Sequence, residues 1–213
     1  MARFVFDCVG VGAEPYALAP TLAFAIRIAE TTGAAVHAIA LRCQLRIEPQ
    51  GRDYTSTEAE RLHDLFGDRS RWADTLKPLQ FATVSVMVPG FTGATDLNLQ
   101  VPCGSDLEVA ATRYFHSLDD DEVPLLMLYS GTVFLKHGEG FRIEQVPWSA
   151  ESTCRLPVAV WRDMIDRYYP NSGWLRCSRE TLDALGRYKT RHALPTWDSA
   201  IEALLAEAVL REL

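Results

Sequence analysis

The segment VHAIALRCQLRIE, residues 36–48, places Ile39, Leu41, Cys43, Leu45 and Ile47 on one side and Arg42, Gln44, Arg46 and Glu48 on the other. An apolar residue at every second position marks a β-strand with one buried face and one wet face. The preceding segment TLAFAIRIAE, residues 21–30, repeats the pattern with Leu22, Phe24, Ile26 and Ile28. Thr31-Thr32-Gly33 supplies turn chemistry between them, so the pair predicts an antiparallel hairpin with Arg27 across from the arginines of the second strand. Pro49 cannot donate to a ladder and ends the pattern.

Working outward, Thr55 and Glu58 have capping-box spacing. Leu62, Leu65 and Phe66 form a stripe and Gly67 suits a left-handed C-terminal position, which predicts a short helix near 56–66. Strand patterns return at Phe81–Val88, Thr95–Val101, Asp106–Ser117, Val123–Leu135 and Phe141–Val146, broken by Pro89-Gly90, Pro102, Gly104, the acidic run 119–122 and Lys136-His137-Gly138. No βαβ alternation appears, so a parallel sheet is not expected. The fold class read from this pattern is mainly β with C-terminal α: an antiparallel, immunoglobulin-like β-sandwich of about seven strands covered by C-terminal helices. The period turns helical after Pro147-Trp148. Val158, Trp161, Ile165 and Tyr168 form one stripe, Ser178 caps a helix bearing Leu182, Leu185 and Tyr188, and Pro195-Thr196 opens a last helix with Trp197, Ile201, Leu204, Leu205 and Val209 facing inward. The expected organisation is a sandwich over 1–150 and a helical part over 151–213 packed on it.

Composition narrows the function classes. The chain has 213 residues, 48% apolar and 23% charged, typical of a globular domain that needs no metal or disulfide to build a core. Its net charge of -7 argues against gripping nucleic acid, which needs clustered cations to displace counterions from phosphates. No apolar run approaches the ~20 residues of a membrane span, and Met1 to Gly12 lacks the pattern of a signal peptide. Five cysteines, odd in number and far apart, then suggest reduced thiols in a cytoplasmic protein.

No catalytic or metal-binding constellation emerges, and no cofactor is expected. Paired Cys or His at zinc spacing are absent. Ser130-Gly131 lacks the first glycine of a nucleophile elbow, so Gly131 reads as a bulge or a point of tight packing. Val9-Gly10-Val11-Gly12 is not followed by a helix pattern, as a phosphate cradle requires, and Pro89–Gly93 is explained by a strand connection. Asp119–Glu122 lacks the rest of a calcium loop and reads as a solvated turn. The wet face carrying Arg42, Gln44 and Arg46 is the most informative feature. Guanidinium groups in a row need carboxylates, supplied either by a partner or by this same chain. Trp161 and Trp197 lie on helical stripes and are expected in the core. Trp72, Trp148 and Trp174 sit in irregular segments, where an aromatic anchor for a partner competes with packing under a loop.

The stretches LRCQLRIEP (41–49), LHDLFGDRSRWADTL (62–76), MVPGFTG (87–93), LYSGTVF (128–134), VPWSAE (146–151) and RYKTRHALPTWDSAIEALL (187–205) resemble an actinobacterial protein family of unknown function. Members of that family are similar in being encoded near uptake nickel–iron hydrogenases. The resemblance implies a protein partner, a nickel–iron hydrogenase or its maturation machinery, and a part in its assembly, maturation or association. It brings no catalytic residues with it. The leading expectation is therefore a non-catalytic accessory or interaction protein. The alternative is a small-molecule-binding or enzymatic sandwich whose site is built from distant residues.

Overall fold

A computed structural model describes residues 3–104, 109–138, 140–172 and 177–212, which fall into two compact units, 1–172 and 173–213. The first unit holds eight described strands: β1 (Phe4–Ala13), β2 (Thr21–Glu30), β3 (Val36–Ile47), β4 (Leu79–Val88), β5 (Ala94–Pro102), β6 (Glu122–His137), β7 (Gly140–Gln145) and β8 (Glu151–Pro157). All pairings are antiparallel. A small sheet runs β1-β2-β5, and a large sheet runs β4-β3-β6, with β7 and β8 sharing the far edge of β6. The two inner faces supply the core. Phe6, Phe24, Ile26, Ile28 and Leu99 come from the small sheet, and Leu41, Cys43, Leu45, Met127 and Val133 from the large one, all buried. This is the two-layer antiparallel sandwich that the alternation predicts.

The predicted hairpin of β2 with β3 is not formed. β2 pairs with β1 and β5, whereas β3 pairs with β4 and β6, so the connection at 31–35 crosses from one sheet to the other. Alternation specifies a buried face but not the neighbour on either edge. Here Glu30 decides the path. Its carboxylate is buried and accepts from the backbone N–H of Thr32, Ala34 and Arg3 and from the Thr32 hydroxyl at 2.6 Å, folding the connection over the end of the small sheet. Burial alone would raise its pKa, but these donors win and hold the carboxyl below its ordinary value. Arg27 consequently lies on the small sheet, bonded to Asp96 at 2.9 Å, and not across from the β3 arginines.

The other strand patterns form as predicted except at 106–117. There the described residues form α4 (Val109–Ser117). The buried residues Ala111, Tyr114, Phe115 and Leu118 recur at helical steps, a periodicity that overrides the alternation. Two strands escaped the sequence reading. β1 carries glycines at its far end and a register shift between Cys8 and Gly10, so the Val9–Gly12 segment is an edge strand. β8 alternates over only seven residues directly before a helix.

Short helices join the strands. α1 (Ser56–Arg61) begins with the predicted capping box, in which the Thr55 hydroxyl accepts from the Glu58 N–H and the Glu58 carboxylate from the Thr55 N–H. α2 (His63–Phe66) ends at Gly67 with φ of 70°, and α3 (Trp72–Thr75) follows. α5 (Val158–Tyr168) packs against β1, β2 and β8, with Trp161 stacked on Phe115 at 4.4 Å. The first unit thus runs past the 1–150 span expected for the sandwich, because β8 completes the large sheet and α5 packs on β1, β2 and β8.

β6 is the spine of the large sheet, paired with β8 over its first half and β7 over its second. Gly131 sits at the changeover with φ of 142°, and a Cβ there would lie 2.0 Å from the Ala40 carbonyl oxygen. The tight-packing reading of Gly131 therefore stands on a specific backbone approach.

In the second unit, α6 (Arg179–Arg191) starts at the predicted cap, Ser178, which accepts from the Thr181 N–H at 3.1 Å. It packs against α7 (Trp197–Glu212), with the Tyr188 hydroxyl donating to Glu207 at 2.7 Å. The inward stripe predicted for α7 is not inward. Trp197, Ile201, Leu204, Leu205 and Val209 are all exposed, and Ala200 is buried instead. Apolar residues surround much of this helix, so spacing did not single out one face.

Candidate functional site

The outer face of the large sheet gathers the predicted arginine row. The register on β3 sets Arg42 between Ser85 of β4 and Ser130 of β6, Gln44 between Thr83 and Leu128, and Arg46 between Gln80 and Leu126. Arg42 and Gln44 are exposed and Arg46 is half-buried. The three differ in what they already hold. Arg46 pairs with Glu48 at 3.3 Å, and the Gln44 amide donates to Gln80 at 2.7 Å. Arg42 makes no ion pair among the described residues, and lines a shallow depression of about 330 Å³ with Ala40, Ser85 and Met87. The same face continues to Ala40 beside Met87, and to Ala38 beside Phe134, which lies beside Ile143 of β7. Met87 and Ile143 are more than half exposed, at 61% and 62%. An open sheet face usually alternates to polar side chains. This one mixes a free guanidinium with exposed apolar groups.

The tryptophans separate. Trp72 is not a surface anchor. It is buried, stands edge-on to Tyr54 and Phe66, and donates its indole N–H to the Gly67 carbonyl at 3.0 Å. Trp148 is 96% exposed in the turn between β7 and β8. Hydrogen bonds from the Val146 N–H to Gly131 and from the Tyr129 N–H to Ala150 fasten that turn beside β6, about two strand spacings (~10 Å) from β3. Trp174 lies outside the described residues. The structure therefore brings Arg42, Gln44 and Arg46 together, with Trp148 anchored at the edge of the same sheet.

A second concentration of polar groups surrounds Arg52. A cleft of about 400 Å³ is lined by Arg52, Tyr54, Glu58 and Asp119 to Asp121. The Arg52 side chain is 4% exposed, and its Nη2 donates to Glu58 and to the Asp120 carbonyl, each at 2.9 Å. Glu58 also accepts from the Asp119 N–H, so this buried pair ties α1 to the turn before β6. Arg52 Nε lies 4.0 Å from the Asp121 carboxylate, and neither Nε nor Nη1 has surface facing the cleft. Below them Tyr54 and Tyr114 share a hydrogen bond of 2.6 Å, and burial pushes both phenols above their ordinary value. The arrangement is a clasp, with a rim whose carboxylates repel anions.

The third concentration was invisible in the sequence. Cys43 of β3 is the direct cross-strand neighbour of Tyr129, and Ser152 and Cys154 follow on β8. The Tyr129 hydroxyl shares a 2.8 Å hydrogen bond with Ser152, and its ring stacks on Phe6 of β1 at 4.3 Å. Two residues on, the half-buried Cys8 donates its thiol to the Gly10 carbonyl at 3.6 Å. The Cys154 side chain, against burial and together with the Gly10 backbone, lowers the Cys8 pKa to about 7. The Cys8 side chain and burial push the Cys154 thiol up. Burial takes Cys43 up to about 12. Only the alternation of Phe4, Phe6 and Cys8 could have announced β1's inner face, and nothing in spacing joins residues 8, 43 and 154. Among the described residues no group of three or more His, Cys, Asp or Glu side chains is placed to hold a metal ion. No helix among them is long and apolar enough to cross a membrane.

Comparison with known proteins gives a family and little more. A model described as a family of unknown function, DUF6084, matches residues 1–212. Nothing matches among curated proteins. A crystal structure of a β-glucosidase from Kluyveromyces marxianus is similar over 72% of this chain and 15% of that one, at 8% identity and a TM-score of 0.26. The chain thus spans a small part of that enzyme, and a likeness so slight carries no argument about activity.

Proposed function

We propose that this chain, which belongs to the family of unknown function DUF6084, is a non-catalytic accessory protein that docks a protein partner on the open face of its large sheet. The observation that carries this reading is the combination on one face of Arg42, without an ion pair among the described residues, with exposed Met87 and Ile143. Protein interfaces favour this composition: arginine for bidentate contact with carboxylates and methionine for adaptable apolar contact. The hydrogenase neighbourhood implied by the resemblance makes a nickel–iron hydrogenase, or its maturation machinery, the first partner to test. The competing reading, a small-molecule site, requires convergent groups that a ligand can reach. In the Arg52 cleft the guanidinium is already paired with Glu58 and Asp121, and its remaining nitrogens have no accessible surface, which favours the docking reading.

The test is affinity purification from the native host with the wild-type chain and with Arg42→Glu/Arg46→Glu, followed by reconstitution with the purified hydrogenase. Recovery by the wild type and loss by the folded double variant supports the reading. Equal recovery by both removes this face from the interaction.

A further inference from the structure

We propose that α6 and α7 pair with the same hairpin of a second copy of this chain, closing a four-helix bundle that makes the protein a dimer. The unit of residues 173–213 has almost no core of its own. Among its described residues only Ala200 is buried. Units of about 40 residues usually need a disulfide, a metal or oligomerisation to persist. The packing inside the hairpin also uses the small side of α7. Ser199, Ala200, Ala203 and Glu207 are its least exposed positions, and the Glu207–Tyr188 bond sets that side against α6. The large side is left bare. Ile201, Leu204, Leu205, Ala208 and Val209 follow the i, i+3, i+4, i+7, i+8 spacing of one helical stripe, and all five are exposed. Trp197 extends the stripe by a turn, with the Lys189 ammonium 5.7 Å from its ring. Such a stripe exposes several hundred Å², the scale of one partner's share, about 800 Å², in a stable interface.

Charge says which surface covers it. Asp198 and Glu202 make the first turns of α7 acidic, while Arg187, Lys189 and Arg191 make the last turns of α6 basic. No ion pair joins these groups among the described residues. Both clusters lie at the loop end of the hairpin. Two hairpins placed side by side, loops at the same end and a twofold axis along the bundle, set each acidic α7 between its own α6 and the basic α6 of the other copy. Every neighbouring pair of helices is then antiparallel, and one surface serves both copies, as an isologous dimer requires. Carboxylates beside the stripe also speak against an anionic membrane, which seats helices with a lysine- and arginine-rich polar face.

The experiment measures the mass of the reduced full-length protein by light scattering during size exclusion, at high micromolar concentration. Twice the chain mass is expected. The single-chain mass at every concentration overturns the proposal, whatever then covers the stripe. Leu205→Glu/Val209→Glu puts two carboxylates into the stripe, at positions 62% and 59% exposed, and should give the single-chain mass while the sheet unit still unfolds cooperatively. A charge exchange tests the pairing separately. Arg187→Glu/Arg191→Glu and Asp198→Arg/Glu202→Arg should each weaken dimerisation about tenfold or more, and their equimolar mixture should recover a mixed dimer. Cys177, exposed just before α6, reports the orientation. With both loops at one end, the two Cys177 thiols share the other end, and a flexible bismaleimide should join them. Loops at opposite ends would separate them by roughly a further helix length, ~20 Å. A dimer that survives Leu205→Glu/Val209→Glu, a mixture of charge variants that recovers nothing, or a dimer without the Cys177–Cys177 crosslink would each overturn the arrangement.

Discussion

The two faces of the large sheet are built from the same strands and answer to different demands. On β3, Leu41, Cys43, Leu45 and Ile47 point inward and are at most 1% exposed, while Arg42 and Gln44, one residue away in each case, stand in solvent. The inner face gains its stability from burial, so each of its side chains is constrained by shape. Arg42, on the outer face, is constrained by nothing else in the described chain. A residue that the fold does not need, on the same face as exposed Met87 and Ile143, is free to serve recognition.

The largest way to break this contrast is to disturb both faces at once. Gly131→Ala puts a Cβ at 2.0 Å from the Ala40 carbonyl oxygen, in a backbone conformation that L side chains rarely adopt. The β3–β6 ladder must give way, and we expect a loss of about 4 kcal/mol or more, read as a fall in the urea midpoint. An unchanged midpoint would mean that the two strands part without penalty. Leu45→Ala disturbs the inner face alone. It removes a fully buried side chain from the middle of the core, and should cost about 3 kcal/mol while leaving the arginine row in register. A loss below about 1 kcal/mol would show that the inner face is loosely packed.

Legibility in the sequence followed the same division. Alternation identified the inner face of β3 and the wet row of Arg42, Gln44 and Arg46, because each follows from a period of two. Local chemistry identified the Thr55–Glu58 box, the Ser178 cap and the close approach at Gly131. What alternation omits is the partner of each strand. The connection after β2 resembles a hairpin turn until Glu30 is seen buried beneath it, collecting three backbone N–H groups. Likewise α4 was missed although Ala111, Tyr114 and Phe115 stand at helical steps in VAATRYFHS, because the strand patterns on either side set the expectation. The thiol cluster depends on β1 and β8 lying on facing sheets, and no local pattern in a single sequence encodes that.

Alkaline titration sharpens the comparison with a smaller effect on the inner face. Burial raises the Cys43 pKa from its ordinary value of 9.0 to about 12, and moves Tyr129 upward as well. Since the folded pKa lies above the unfolded one, the stabilisation is complete below pH 9 and is lost as pH rises toward 12. Cys43 alone then contributes a decline of up to about 1.4 kcal/mol per pH unit in that window. Cys8 has the opposite sign. Its lowered pKa adds stability as pH rises from 7 to 9, and the gain fades as pH falls through 7. Urea midpoints should therefore hold or rise up to about pH 9 and fall beyond it, and Cys43→Ala should flatten the fall. A monotonic decline from pH 7 would contradict the lowered pKa of Cys8.

The smallest effect on stability is the most informative about function. Arg42→Glu/Arg46→Glu reverses two charges on the outer face without touching the core. Arg42 loses no ion pair among the described residues, so its share should stay within about 0.5 kcal/mol. Arg46 loses a half-exposed pair to Glu48 and faces that carboxylate with a like charge, which adds a loss of up to about 1 kcal/mol. Comparing the single variants separates these terms. Arg42→Glu should leave the urea midpoint unmoved and abolish partner recovery, because a docking carboxylate then meets a like charge. Arg46→Glu should lower the midpoint slightly and weaken recovery less. If Arg42→Glu retains full recovery while Arg46→Glu loses it, Glu48 and not an external carboxylate defines the chemistry of this face. If Arg42→Glu instead unfolds the protein, then Arg42 serves the fold after all, and the two faces of the sheet are not the separate surfaces that their side chains describe.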